Sequence, residues 1–443
     1  MRTERYKIVA DEIAAAIRAR DLPAGTRLPT HRELALERGI ALPTATKVYR
    51  ELTAAGLVVG EPGRGTYVRD LSGFAGLEPL RLPAGARVAD LSFNQPLATE
   101  QSEQLRHALR DLAAEGDLGA LLLQQPPGGR TVDAAAVATH LLDRGLDVPP
   151  GNVLLTAGAQ HALDVVVTAV ADPGSTLAAD AVTYPGLKLL ADSRRLDLAA
   201  VRCGPDGTDL ESLDRLARRR KIAVLYVLPT VHNPLGFVLD SAARQHIAAL
   251  ARRYDFAIIE DATYAFLAPA APAPIQTLAP ERTFYVGSFS KNLATGLRAG
   301  YLVAPAADRS RLVRALRATS WGTSSLATAL VTRWIRDGTV SRLEKARRED
   351  ARERQAIARR AFEGFDYQAH PASYSGWLQL PAEIRSDQAA HRLAQTGILV
   401  STGDAFAIGG GTAPNAIRVA LANPKIQELA GLLDRCRSAL AIT

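Results

Sequence analysis

The 443-residue sequence predicts a small helical head closed by a β-hairpin, joined to a larger α/β domain with a largely parallel sheet. Three observations carry that expectation. Apolar residues recur at helical spacing through the first seventy positions and then give way to two short strand patterns. A stretch rich in Gly and Pro follows. Beyond it, strand and helix patterns alternate, as parallel strands joined by helical crossovers require.

A chain of this length exceeds one small core and suits two or three domains. Its hydrophobic fraction of 47% and charged fraction of 22% are those of an ordinary globular protein. No apolar run reaches a membrane span: the most apolar stretch, 162–171, is interrupted by Asp164 and ended by Asp172-Pro173-Gly174. Glu4, Asp11 and Glu12 stand where a secretion signal would carry no acid. Cys203 and Cys436 form no CxxC pair and no ligand cluster, so no metal site is expected, and a reducing, cytoplasmic setting is. The net charge of +7 permits a nucleic-acid partner without demonstrating one. Residues 1–70 hold twelve Lys/Arg against nine Asp/Glu, only a mild local excess.

In the head, Tyr6, Val9, Ile13 and Ile17 form the stripe of an amphipathic helix, which Asp21 to Gly25, with Pro23, brings to an end. A second helix is expected over 30–38, with Thr30 as N-cap, Glu33 as capping-box partner, Leu34 facing inward and Gly39 as stop. The third is expected over 43–55, with Pro43 in its first turn and Ala45, Val48 and Leu52 on one face. Its other face carries Thr44, Thr46, Lys47 and Arg50. Leu57-Val58-Val59 and Thr66-Tyr67-Val68 flank the Gly/Pro-rich turn 60–65 as a hairpin. Three short helices and a hairpin make a winged helix-turn-helix, whose polar third helix fits the major groove and offers side chains to base edges. Arg64, at the hairpin tip, suits a phosphate or the minor groove. The pattern alone also allows a small protein-interaction domain with a solvated polar face.

The run from Leu22-Pro23-Ala24-Gly25-Thr26-Arg27-Leu28-Pro29 through Thr30-His31-Arg32-Glu33-Leu34-Ala35 resembles the GntR-type DNA-binding domain. So do Val48-Tyr49-Arg50-Glu51-Leu52 and Gly63-Arg64-Gly65-Thr66-Tyr67-Val68, and the likeness covers nearly all of residues 5–70. It implies DNA contacts by Arg32, Thr44, Thr46, Lys47 and Gly65. One departure stands out: Ala41-Leu42 replace the Ser-Arg that usually opens the recognition helix, so a usual contact is missing.

A linker is expected over 71–90, on the strength of Gly73, Gly76, Pro79, Pro83 and Gly85. Buried strands are then expected at 153–156, 176–179, 223–228, 257–260 and 283–287, with helices such as 160–170, 241–254 and 341–362.

Five features of this region fall in an order that suits one cofactor. Thr156-Ala157-Gly158-Ala159-Gln160 follows a strand and opens a helix, where backbone N–H groups can cradle a phosphate. Asn233-Pro234 follows the next central strand and offers an amide donor. Asp261 ends a buried strand, where a carboxylate can hold a pyridine nitrogen protonated, and Tyr264 lies three residues on. Lys291, in Ser288-Phe289-Ser290-Lys291, is placed to form a Schiff base, with Ser288 and Arg298 placed to grip a phosphate. Arg418 interrupts the apolar strand Ala416-Ile417-Arg418-Val419-Ala420, and its fork suits a substrate carboxylate. Singly, each reads equally well as a turn, a cap or a solvated charge.

Together, the order and spacing of Asn233, Asp261, Lys291, Arg298 and Arg418 resemble the fold-type-I aminotransferases, over about residues 90–443. With the head, the chain is similar to the MocR-like subfamily, GntR-type heads fused to aminotransferase-like domains. That resemblance implies a mostly parallel sheet with a smaller α+β C-terminal part, and pyridoxal 5'-phosphate as cofactor. It implies that Lys291 carries the cofactor, Asp261 pairs with the ring nitrogen, and Asn233 and Tyr264 bond the phenolic oxygen. Tyr184 would stack on the ring, and Gly158, Ala159, Gln160, Ser288 and Arg298 would hold the phosphate. Arg418 would take an effector's carboxylate. It further implies a homodimer with the head of one chain over its neighbour's large domain.

The function so implied is a DNA-binding regulator that senses an amino compound through external aldimine formation at Lys291. A working aminotransferase with an accessory head is the alternative. Relatives usually carry a tyrosine that reaches the partner's phosphate; Leu123 stands in its place, within Leu121 to Gly129. Val132-Asp133-Ala134-Ala135-Ala136 likewise replaces the usual Leu-Arg-x-Ala-Ile, so the intersubunit part of the site is altered.

Overall fold

The computed structural model describes residues 5–19, 21–23, 25–54, 57–61, 65–68, 88–95, 101–409 and 413–441. In the head, helices Arg5–Ala19, His31–Glu37 and Leu42–Ala54 enclose Val9, Ile13, Ile17, Leu34, Ala45, Val48 and Leu52, all buried. The capping box forms: the Glu33 N–H donates to Thr30 Oγ1 at 3.3 Å, and the Thr30 N–H to Glu33 Oε2 at 2.6 Å. Val58–Glu61 and Gly65–Val68 pair antiparallel as the hairpin. A third strand, Arg27–Leu28, pairs with Gly65–Val68; two residues have no readable periodicity, so no pattern announced it. Arg64 and the hairpin tip 62–64 lie outside the described residues.

The linker expected over 71–90 is corrected at its end. Residues 71–87 lie outside the described residues, but Ala89–Asp90 is a strand pairing parallel with Ile398–Leu399. Its partner lies some three hundred residues downstream, so tertiary pairing overrode a local composition that reads as loop.

The large domain is built on a seven-stranded sheet. Its order is Val153–Thr156, Gly300–Val303, Thr283–Ser288, Ala257–Asp261, Ile222–Val227, Thr176–Asp180, Asp197–Val201. All run parallel except Gly300–Val303, which is antiparallel to both neighbours. Helices with an apolar inner face, such as Ala159–Val170 and Ser241–Tyr254, cover it, so its central strands are buried on both faces and read as continuous apolar runs. After the long helix Thr339–Ala361 comes a four-stranded antiparallel sheet, Asp366–Gln368, Ser375–Gln379, Ala416–Ala420 and Ser401–Thr402. Helices Ser386–Gln395 and Ile426–Leu440 pack against it.

Among the described residues, head and body meet where Arg385 and Asp387 approach Tyr67 and Gly25. The Arg385 guanidinium lies 3.5 Å from the Tyr67 ring centroid and forks onto Asp387 at 3.0 and 3.1 Å. Gly25, at φ +80°, sits against Asp387, whose Oδ2 is 2.6 Å from where a Cβ would stand. That approach admits only glycine without a shift of the carboxylate.

Candidate functional site

The C-terminal ends of the parallel strands deliver their next residues to one cavity of about 150 Å³, the usual place for a ligand in a doubly wound sheet. Asn233, Asp261, Tyr264, Ser288, Lys291, Arg298, Arg418, Tyr184, Ala159 and Gln160 all line it. Ten residues from seven separate stretches of chain therefore converge on one space.

Asp261 is the last residue of Ala257–Asp261 and is buried in the cavity wall. Tyr226 on the adjacent strand donates to its Oδ2 at 2.8 Å, and the Thr263 N–H to its Oδ1 at 2.9 Å. Burial pushes its carboxyl upward, against the pull of those hydrogen bonds. Tyr264 is pushed up too, chiefly by burial.

Lys291 is lowered to about 7, first by burial and then by the Arg418 and Arg298 charges. Its Nζ donates to the Asn94 carbonyl at 2.8 Å and lies 4.2 Å from the Phe93 ring centroid. A lysine so placed holds an uncharged amine near neutrality, as Schiff-base chemistry requires.

Arg418 is buried on Ala416–Ala420. It donates to Asn233 Oδ1 at 3.4 Å and to the Ser92 carbonyl, and its guanidinium lies 5.0 Å from the Phe406 ring centroid. Its Nε has no partner among the described residues.

The opposite end of the cavity suits a phosphate. Gly158, at φ +92°, begins the helix Ala159–Val170 and turns that helix's N-terminus toward the cavity. A Cβ on Gly158 would stand 2.9 Å from the Arg298 Nη2, so only glycine leaves this cradle open. Arg298 reaches back to the Ala157 carbonyl at 3.1 Å, and Gln160 Oε1, buried in the wall, has no partner among the described residues. Ser288 Oγ accepts from the Ser290 N–H at 3.0 Å. An anion cradle, a carboxylate in the wall and a low-pKa lysine fit pyridoxal phosphate, whose phosphate, ring nitrogen and aldehyde need those three groups.

On the head, Arg32, Thr46 and Lys47 are exposed and Thr44 half-buried. Thr46 Oγ1 donates to the Leu42 carbonyl at 3.1 Å, and Lys47 Nζ lies 5.8 Å from the Tyr6 ring. Gly65 opens the second hairpin strand at φ +125°. Leu123, noted for its departure from the family pattern, is exposed outside the cavity.

Sequence reasoning passed over Ser92, Phe93, Asn94, Tyr226, Ser290, Thr295 and Phe406. Ser290 was legible beside Lys291. Phe93 and Asn94 lay just past the supposed linker, and Phe406 has no local signal at all.

Two family models divide the chain: bacterial regulatory proteins of the gntR family over residues 5–68, and aminotransferase class I and II over 86–435. These define a DNA-binding transcription regulator with an aminotransferase-like domain, whose cofactor is pyridoxal phosphate. The chain belongs to the class I and II aminotransferase family and, by its gntR head, has the MocR-like architecture. It is 26% identical over 430 residues to YdeF of Bacillus subtilis, an uncharacterized HTH-type transcriptional regulator, covering 96% of this chain and 91% of the relative. YjiR of Escherichia coli, another of that description, is 24% identical, with 95% of each chain covered. Among solved structures, the α-aminoadipate aminotransferase LysN of Thermus thermophilus superposes with a TM-score of 0.71 at 25% identity, over 80% of this chain and 92% of that one. Among the described residues, no helix is long and apolar enough to cross a membrane, and no His/Cys/Asp/Glu group could hold a metal.

Proposed function

We propose that the chain is an effector-controlled cytoplasmic regulator: an amino compound carrying a carboxylate would enter the cavity, compete with Lys291 for the cofactor, and thereby change DNA binding by the head. The observation that carries this reading is the presence of Lys291 and Arg418 in one buried cavity, a nucleophile and a carboxylate fork facing the same space. Bound there, the cofactor supplies an aldehyde and an electron sink. Lys291 would hold the aldehyde carbon and Asp261 would keep the ring nitrogen protonated. Asn233 and Tyr264 would hold the phenolic oxygen, and Tyr184 would cover the ring face. Gly158, Ala159, Gln160, Ser288 and Arg298 hold the phosphate, and Arg418 receives the effector's carboxylate. Arg32, Thr44, Thr46, Lys47 and Gly65 meet the DNA.

The protein is inferred to work as a homodimer. Leu118, Leu122 and Leu123 are 46%, 88% and 68% exposed in and just after one short helix, with Leu326 on the neighbouring helix 48% exposed. So much apolar surface in one place favours cover by a second copy.

A turnover enzyme is the second reading. An amine held at about 7 is suited to take and return a proton near neutral pH, which supports it. The deciding experiment is the visible absorption of the cofactor-loaded protein, scanned against a panel of amino acids and amines, with Lys291→Ala as control. A lasting spectral change without keto acid supports the sensor. Keto acid accumulating over many turnovers makes the protein an enzyme first.

A further inference from the structure

Two of the basic side chains that line the ligand space, Lys291 and Arg418, are held by one short backbone segment. Lys291 donates to the Asn94 carbonyl at 2.8 Å, and Arg418 to the Ser92 carbonyl. Phe93, between these two, lines the cavity itself. The segment is pinned from behind. The Asn94 side chain donates to Ser375 Oγ at 2.9 Å and accepts from the Ala422 N–H at 3.2 Å. The Ser92 N–H donates to Asp90 Oδ1 at 2.8 Å, and the Gln95 N–H to Asn423 Oδ1 at 2.7 Å.

Upstream, the segment continues into Ala89–Asp90, which pairs with Ile398–Leu399. That strand follows the helix Ser386–Gln395, at whose start Arg385 and Asp387 meet Tyr67 and Gly25 of the head. Residues 69–88 then join the segment covalently to the head. The chain that stoppers the cavity is thus the chain that leads to DNA.

An α-amino acid brings a carboxylate to this space. Against a neutral carbonyl, a carboxylate makes the stronger bond to a guanidinium, roughly twice as strong when charge-assisted. A simple amine has no claim on Arg418. Apolar surface is also at hand: Phe93 and Phe406 line the cavity, the Phe406 ring centroid 5.0 Å from the Arg418 guanidinium, and they suit an aliphatic side chain.

Resting on the effector reading above, we propose that Ser92–Asn94 is an internal competitor for the effector's carboxylate on Arg418. It makes the site select aliphatic α-amino acids over simple amines, and its displacement is the signal passed toward the head.

The test is hydrogen exchange at the Ser92 and Gln95 amides in the full-length, cofactor-loaded protein. Three matched probes are used: L-leucine, 4-methylpentanoate (the same skeleton without the amine) and 3-methylbutylamine (without the carboxylate). L-leucine and 4-methylpentanoate are expected to speed exchange by about tenfold, as loss of one charged hydrogen bond allows. The amine is expected to leave it unchanged. Arg418→Gln should exchange at the fast rate with no ligand present, and if that variant fails to fold the matched probes decide. Slow exchange in a folded Arg418→Gln protein overturns the proposal, as does an equal response to the amine and the acid. A spectrum unmoved by every amine, with exchange still raised by 4-methylpentanoate, sinks the sensor reading alone and leaves the competitor standing.

Discussion

Tyr226 donates a 2.8 Å hydrogen bond from its buried hydroxyl to the Asp261 carboxylate, across two adjacent parallel strands. Asp261 lies in the cavity wall, and the tyrosine reaches nothing else in the proposed chemistry. Its part is to orient the carboxylate and favour its ionised form, against the burial that raises it. Tyr226→Phe is therefore expected to weaken cofactor binding by about 1.5–3 kcal/mol, roughly 10- to 150-fold. Equilibrium dialysis against pyridoxal phosphate measures it, with circular dichroism to confirm folding. An unchanged dissociation constant removes Tyr226 from the site.

The state of Lys291 predicts a pH dependence. A lysine attacks an aldehyde only as the free amine. Its lowering from 10.5 to about 7 means the amine is uncharged above neutrality rather than only in strong base. Cofactor uptake by the stripped protein should accelerate as pH rises through about 7 and then level off. Stopped-flow absorbance reads the rate, and a steep climb continuing between about pH 8 and 10 contradicts the shifted lysine.

Leu122, 88% exposed, is the most exposed of the proposed interface leucines. Leu122→Glu places a charge where a second copy is expected to bury an apolar surface, and such a buried, unpaired charge costs several kcal/mol. Sedimentation velocity should show the wild type as a dimer and this variant shifted toward monomer. A wild-type monomer, or a variant that stays dimeric, rejects this surface.

The cation–π contact of Arg385 on Tyr67 predicts separable effects. Arg385→Ala should leave the effector-induced change in visible absorption intact. It should change, by up to about 3 kcal/mol, how strongly that effector alters binding to a duplex selected from a random-sequence pool. Fluorescence anisotropy at fixed salt provides the readout. Identical coupling in variant and wild type means the contact carries no signal.

Much of the site was legible because its residues follow buried strands. Asp261 and Lys291 come where an apolar run ends, and the ends of neighbouring parallel strands must open at the same edge. The head was legible from its capping box and inward stripe, both local features. The strand Ala89–Asp90 was not, since its composition reads as loop and its register depends on a remote partner.

The helices and buried strands, the order of the cofactor-facing residues and the polar face of the recognition helix can all be read along the chain. Each follows from periodicity or from chemistry within a few positions. The three-dimensional fold alone brings Asn94 to Lys291 across 197 positions, Ser92 to Arg418 across 326, and Tyr226 to Asp261. Such pairs are set by the order of strands in a sheet and by which faces pack together, and no local pattern in the chain encodes either.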